Sequence, residues 1–397
     1  MKPLVLVGRS PTADIVGVGT EWRSIRLRSP ANFPVDDRDA ALIAGPDDWE
    51  LANTHGYQLA VGRGTRPDGV SLNYVRLPAE FTELGDGDVL GIQPRSGRVR
   101  VLYRRSSRHN FLLVTERCNN YCLMCSQPPK KVNDGWLIDQ IAETLPLIDP
   151  ATPAMTFTGG EPLTEWRRFV DLLGMARDLL PNTAIHVLTN GRAFASAEVA
   201  NAWAAVRHGK LSAGIPIYAA VDHIHDYVVQ AKGAFDETVL GVLRMKNLGQ
   251  RVELRVVLHA VTAPRLRETC SWIARNLPFV DHVALMGMEN TGFAIANEAT
   301  LWIDPVDYQE ALKAGVEALS VAGVNVSVYN LPLCVLDPSI RPFAVQSISD
   351  WKNAYAEECD GCSAKRECAG FFSTGRPRFS RGIAPIGVIL PKDGSPS

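Results

Sequence analysis

From Phe111 the sequence alternates short apolar runs with stretches whose apolar residues recur every three or four positions. That alternation is the pattern of parallel βα units and constrains the fold more than any other feature. Strand-like runs fall at 111–115, 154–158, 184–189, 215–221, 252–258 and 282–287. Between them, Ile138, Ile141, Leu145 and Ile148 form one helical stripe. A second helix opens at Thr164, read as its N-cap, and turns Phe169, Leu172, Leu173 and Ala176 to one side. Ser196 is read as the cap of a third, and Gly249 as the stop of a fourth. A fifth carries Leu266, Cys270 and Ile273, with Cys270 as a small core hydrophobe. A sixth follows Asp304-Pro305 through Tyr308, Leu312 and Leu319. Six units are two short of a closed eightfold barrel. The expected fold is therefore α/β, a partial (β/α)6 TIM-like barrel with its chemistry at the carboxyl ends of the strands.

The flanks do not keep that rhythm. Residues 1–108 are turn-rich, with glycines from Gly56 to Gly97 separating short apolar segments, and read as a small β-rich N-terminal domain, a sandwich or a barrel. The barrel takes 109–330. Residues 331–390 read as an irregular Cys-rich extension, and 391–397 as a disordered tail. No apolar stretch approaches the ~20 residues of a membrane span, and Met1–Val7 is too short an apolar run for a signal peptide. The expected compartment is thus the cytoplasm. There, eight cysteines in a chain of 397 residues read as metal ligands rather than disulfides. The 41 basic and 43 acidic residues nearly cancel, giving no global electrostatic reason to expect nucleic acid.

Three cysteines, Cys118, Cys122 and Cys125, follow the first strand-like run in a CxxxCxxC spacing. Four thiolates would close the ligand shell of an iron–sulfur cube; three leave one iron open to a substrate or cofactor. A zinc knuckle, or half of a closed metal site, is the alternative. The second run ends in Thr158-Gly159-Gly160-Glu161-Pro162. Two glycines let backbone approach a ligand closely, and a carboxylate beside them accepts hydrogen bonds from an ammonium group. A plain Gly-Gly turn is the alternative. Asn190 closes the third run in a turn sequence, and Asp222 follows the fourth. Arg255 lies inside the fifth, facing the barrel or pairing with Glu253 or a helix residue. His223, His225 and Asp226 form a His-x-His-Asp cluster without evident further ligands, read as a rim cluster or surface histidines. Cys334, Cys359, Cys362 and Cys368 form a second cysteine group, suited to zinc or to a complete 4Fe–4S cluster.

With CxxxCxxC one βα unit ahead of Gly159-Gly160-Glu161, the chain resembles the radical S-adenosylmethionine (SAM) superfamily. The resemblance implies a 4Fe–4S cluster on Cys118, Cys122 and Cys125, with SAM on the open iron. It also implies contacts of Gly159, Gly160 and Glu161 to the SAM amino group, of Asp222 to ribose and of Arg255 to the SAM carboxylate. The superfamily's aromatic residue before the third cysteine is replaced by Met124, so adenine would pack on that thioether or on Tyr121. The spacing of the second group is similar to SPASM or twitch extensions, which implies an auxiliary 4Fe–4S cluster, with zinc the alternative.

Longer strings narrow the likeness. Residues 115–129, 228–235, 280–287 and 347–352 look like the C-type maturase of the His-Xaa-Ser system, and the likeness covers residues 70 to 375. It implies a radical-based modification of a small ribosomal peptide with His-Xaa-Ser repeats. A second radical SAM maturase and a low-potential electron donor are the implied partners. An RNA-modifying radical SAM enzyme and a non-catalytic iron–sulfur partner subunit are the competing readings.

Overall fold

The computed structural model describes residues 6–346, 354–372, 374 and 379–387. Among these residues the strands pair into two eight-stranded sheets. The string 347–352 and the tail 391–397 lie outside the described residues.

The first sheet holds β1 (Val7–Arg9), β2 (Ile15–Val16), β3 (Arg23–Arg28), β4 (Asp39–Ile43), β5 (Leu59–Gly62), β6 (Asn73–Arg76), β7 (Val89–Gln93) and β8 (Arg98–Tyr103). Its order, β1-β8-β7-β3-β4-β5-β6-β2, mixes parallel and antiparallel pairs, and β1 and β2 are its two ends. It is one mixed sheet with a helix, α1 (Asp47–Thr54), rather than the sandwich or barrel expected. Strands β3 to β6 run parallel, which needs crossovers, and α1 supplies the β4–β5 crossover. Trp49 and Ala52 bury one side of α1 against Tyr57, Ala60 and Tyr74.

The second sheet is all parallel. It comprises β9 (Asn110–Thr115), β10 (Ala154–Gly159), β11 (Ala184–Leu188), β12 (Leu211–Pro216), β13 (Arg251–Leu258), β14 (His282–Gly287), β15 (Val326–Tyr329) and β16 (Ala344–Val345), hydrogen-bonded in sequence order. Helices α2 (Trp136–Thr144), α3 (Trp166–Leu179), α4 (Ala197–Ala205), α5 (Asp222–Val229), α6 (Ala234–Asn247) and α7 (Leu266–Asn276) connect its strands, followed by α8 (Phe293–Ala296), α9 (Glu298–Leu301) and α10 (Gln309–Val321). This is the expected partial barrel, extended by β15 and β16, two strands too short to stand out in the sequence. β9 and β16 do not pair, so the barrel stays open.

Two expectations about element boundaries are corrected. The fourth strand runs Leu211–Pro216, not 215–221. Ile217 and Ala219 are buried, but beyond Pro216 the chain leaves the ladder after a last bond from the Ile217 N–H to the Arg255 carbonyl. Thr164 does not cap a helix. It sits in a 3-10 turn, Pro162–Glu165, with its hydroxyl on the Glu161 carbonyl, and α3 begins at Trp166. Ser196 does occupy the N-cap position of α4, without a side-chain cap bond, and Gly249 follows α6 at φ +68°.

The helical stripes bury as their spacing requires. Phe169, Leu172, Leu173 and Ala176 of α3 are all 2% exposed or less, in one core with Leu266, Cys270 and Ile273 of α7 and Leu312, Val316 and Leu319 of α10. Each such Leu, Ile or Phe contributes about 1.5–3 kcal/mol through removal from water. Cys270 is the small core residue expected, packed so closely on α10 that a Cβ at Gly315 would stand 3.0 Å from its Sγ. The N-terminal sheet docks on the barrel's first unit. Ser24 bonds Thr144 at 3.1 Å, Tyr103 bonds Thr152 at 2.7 Å, and Arg105 pairs with Asp149.

Candidate active site

At the end of β9 the chain turns into the cysteine loop, and three neighbours pin it. The Gly160 N–H bonds the Thr115 carbonyl and the Glu161 N–H bonds the Arg117 carbonyl, both at 2.8 Å. The Tyr121 and Leu123 N–H groups bond Val229 and Val228 at the end of α5. Phe293 N–H takes the Cys125 carbonyl, and Asn297 Nδ2 takes that of Leu123 at 2.8 Å. Asp134 anchors the loop's start, accepting from the Thr115 hydroxyl, the Glu116 N–H and Arg117 Nε. Arg117 also pairs with Glu165.

All three thiols open on one cavity of about 640 Å³ inside the barrel. Burial, reinforced by the charges of Glu161 and Cys125, pushes the Cys118 thiol up to about 11. Burial and its two sister thiols push Cys122 up to about 12, and burial raises Cys125 as well. Proximity of three thiols in a partly dry site disfavours their ionisation, a penalty that a bound cation removes. Among the described residues no three His, Cys, Asp or Glu side chains are arranged to hold a single metal ion. A cube, however, takes each thiolate on a different iron, so its cysteines need not converge on a point.

Beside the thiols the wall is bare backbone. Gly159 has φ +148°, and a Cβ there would stand 2.3 Å from the Thr115 carbonyl oxygen. A Cβ on Gly160 would stand 2.1 Å from the Arg117 carbonyl oxygen and 3.1 Å from Cys118 Cβ. Only glycine lets the two loops meet. The donor set and this cradle fit an iron–sulfur cluster with a small polar ligand beside it.

Residues 112–273 match the Radical SAM superfamily. The chain carries the domain of the radical SAM class of enzymes. No curated protein matches it. Among solved structures it is similar to Streptococcus suis SuiB bound to S-adenosylmethionine, at 12% identity and TM-score 0.44, over 56% of this chain and 50% of that one. A radical SAM methyltransferase from Sphaerobacter thermophilus matches at 15% identity and TM-score 0.44, over 61% of this chain and 72% of that one. The enzyme anSMEcpe with bound AdoMet matches at 17% identity and TM-score 0.42, over 55% of this chain and 62% of that one. The chain thus spans about half the length of SuiB.

Within the radical SAM domain, Gly159, Gly160, Asn190, Arg255 and Met124 line the cavity with the cysteines, whereas Glu161, Asp222 and Tyr121 do not. The Glu161 carboxylate is 1% exposed and already engaged. Oε1 accepts from the Leu163 N–H at 2.9 Å and the Thr189 hydroxyl at 2.7 Å, and Oε2 accepts from the Asn190 N–H at 2.6 Å. Burial raises its carboxyl against these bonds. Glu161 therefore ties the end of β10 to the end of β11. The Asp222 side chain is 68% exposed at the start of α5 and paired with His223, outside the cavity lining. Met124 is buried beside Tyr218, and the exposed Tyr121 does not reach the cavity. Arg255 meets both readings, lining the cavity while its Nε stands 3.5 Å from Glu253.

The His-x-His-Asp cluster does not converge. His223 is exposed, His225 is buried with Nδ1 on the Tyr218 N–H, and Asp226 accepts from the Gly233 and Phe235 N–H groups.

The second cysteine group gathers at the carboxyl end of the sheet. Cys334 and Cys368 pack against the barrel core. Cys368 Sγ accepts from the Leu333 and Gly370 N–H groups, and Cys362 Sγ from Ile386. Burial, and then the neighbouring thiols Cys368 and Cys359 against a backbone bond, raise Cys334. Burial also raises Cys359 beside Cys368 and Cys362. No disulfide joins them, and N–H bonds to sulfur suit thiolate ligands.

Sequence reasoning missed the loop's anchors. Asn119 Oδ1 accepts from Asn190 Nδ2 and Asn120 Oδ1 from Arg192, both at 2.6 Å. The run of two Asn between the cysteines was the only signal, since their partners lie some seventy residues on.

Proposed function

We propose that the chain binds a 4Fe–4S cluster on Cys118, Cys122 and Cys125 together with SAM, and modifies a ribosomally made peptide bearing His-Xaa-Ser repeats. The observation that carries the reading is three thiols opening on one cavity beside backbone that only glycine permits. When bound, that pair supplies hydrogen-atom abstraction driven by one-electron cleavage of the SAM sulfonium.

The chain's own groups bind and orient. Carbonyl oxygens around Gly159 and Gly160 would accept from the amino end of SAM, and the Arg255 guanidinium would take its carboxylate. Met124 packs the adenine. Asn190, fixed by Glu161 beneath and Asn119 beside it, keeps a polar side chain at the mouth. The barrel wall and the half-buried cysteine loop would shield the reacting end from bulk water. Cys334, Cys359, Cys362 and Cys368 hold an auxiliary 4Fe–4S cluster, which with four thiolates is ligand-saturated and suited to passing electrons. The choice of peptide is supported by the literal strings shared with the C-type maturase, as are a second maturase and a low-potential electron donor as partners.

Anaerobic reconstitution with iron and sulfide, followed by assay for 5′-deoxyadenosine, tests the SAM chemistry. Absence of that product defeats it. Mass spectrometry of a His-Xaa-Ser repeat peptide coexpressed with and without the protein tests the substrate, and identical masses and fragments defeat that part alone.

A further inference from the structure

Below the cysteine loop, the concave face of the barrel carries charge. In β13 the residues Val252, Leu254, Val256 and Leu258 are buried in the core, so the alternate Glu253 and Arg255 face the cavity. Glu253 stands in register with Gly214 of β12 and His282 of β14, and His186 of β11 with Ser212 of β12.

The His186 ring reaches across β12, bringing Nε2 to 3.5 Å from Glu253 Oε1. Gly214 makes the crossing possible, since a Cβ there would stand 2.5 Å from His186 Nε2. On the near side, His186 Nδ1 meets the Ser212 hydroxyl at 2.9 Å. On the far side, Glu253 Oε2 meets His282 Nδ1 at 2.9 Å, and His282 Nε2 meets the Ser327 hydroxyl at 2.9 Å. A Ser–His–Glu–His–Ser chain thus spans five adjacent strands. Such a half-buried polar chain is a costly way to line a barrel, because apolar side chains of equal volume stabilise as well or better. Its first three members all line the cavity.

We propose that Ser212, His186 and Glu253 form a base that takes a proton from an N–H or O–H group of the substrate. This rests on the reading of the cavity as a peptide-modifying site. The substrate group gives its proton to the Ser212 oxygen as the Ser212 proton passes to His186 Nδ1. Glu253 then faces the imidazolium through Nε2, and nothing but a proton has moved. Burial holds the His186 ring below its ordinary value; Arg255 and His282 add to that, and Glu253 opposes it. The ring is therefore neutral near pH 7 and free to accept. The titratable and charged groups facing it are Glu253 and Arg255 from β13 and His282 from β14, with Tyr329 of β15 facing Glu253.

The test uses the reconstituted protein, a synthetic His-Xaa-Ser repeat peptide and SAM from about pH 4.5 to 9, a window that spans the titration of a depressed imidazole, measuring modified peptide per 5′-deoxyadenosine. In His186→Gln and in the gentler Ser212→Ala that ratio should fall about a hundredfold, the lower end of general-base effects. In Glu253→Gln the acid limb of the pH profile should move to lower pH, as the imidazolium loses its counter-charge. In the unloaded protein, the His186 ring resonance, identified by its loss in His186→Gln, should titrate lower in Glu253→Gln than in wild type. A merely structural role moves neither the limb nor the ratio. An unchanged ratio in both His186→Gln and Ser212→Ala, or an unmoved ring titration, overturns the proposal while wild-type cleavage stands. If the wild type forms no 5′-deoxyadenosine, the parent reading fails and takes the substrate role of this base with it.

Discussion

The Asn190 backbone N–H donates to Glu161 Oε2 at 2.6 Å, so a carboxylate that follows the glycine cradle of β10 is spent on the end of β11. Its other oxygen holds Thr189 and Leu163. The pair ties two strand ends into one corner of the barrel's mouth, where Gly159, Gly160 and Asn190 line the cavity.

Glu161→Ala should consequently act first on stability. It strands two buried N–H groups and a hydroxyl, each worth about 1–3 kcal/mol when unsatisfied. Urea unfolding of the unloaded protein should show a loss of at least that order, and Glu161→Gln, which keeps an acceptor, a smaller one. If Glu161→Ala unfolds like the wild type while SAM binding is abolished, the carboxylate meets the ligand directly and this assignment is wrong.

Gly160→Ala changes no ligand, yet should strip iron from the cysteine loop. The added methyl would meet the Arg117 carbonyl oxygen at 2.1 Å, a backbone atom that cannot swing aside. The cysteine loop must then shift as a body. Iron analysis after reconstitution should show the loop's share lost in Gly160→Ala and kept in Gly174→Ala, a half-buried helix position with open space for a Cβ.

How much of this was legible follows from where polar residues sit on strands. The runs at 111–115, 154–158 and 282–287 announce themselves because their segments are apolar and bounded by glycine or turns. β12 was displaced because its inward residues, Ser212 and Gly214, are small and polar or bare, whereas Ile217–Ala219 just beyond it is apolar and buried. The base at the floor was hidden for the same reason. Arg251-Val252-Glu253-Leu254-Arg255-Val256 alternates, and in a sheet whose outer face is covered by helices the polar half must face inward. That was the available signal. The partners of Glu161 and Asp134 were not legible, because a buried carboxylate's donors come from distant turns.

Asp134 makes the cysteine loop sensitive to acid. Burial raises its carboxyl, but the bonds from Glu116, Thr115 and Arg117 outweigh it and hold the group below the ordinary 3.8. A carboxyl depressed on folding stabilises above its unfolded value, and that contribution is lost as pH falls through the folded one. Asp134→Asn should cost about 1–3 kcal/mol at pH 7. The gap between wild type and variant in urea unfolding of the unloaded protein should be flat above pH 5 and narrow as pH drops below 3.8. A gap that widens in acid would refute the sign.

Iron stoichiometry separates the two cysteine groups. Cys118→Ala should lose the loop's iron and all 5′-deoxyadenosine formation while keeping the iron held by the C-terminal group. Cys359→Ala should do the reverse for iron, because the second group sits on segments 333–335 and 359–370, clear of the cavity's cysteine wall. If Cys359→Ala leaves iron unchanged and releases zinc, the C-terminal site is a zinc site and passes no electrons. Cys270→Ala is the packing control. Its thiol is fully buried between α7 and α10, so removal should cost about 1–2 kcal/mol in unfolding and leave both iron pools intact. Asp222→Ala, exposed and outside the cavity, should keep 5′-deoxyadenosine formation within about twofold of wild type, since its side chain pairs with His223 alone. A large loss there would mean that the start of α5 closes over the ligand, bringing Asp222 to the ribose after all.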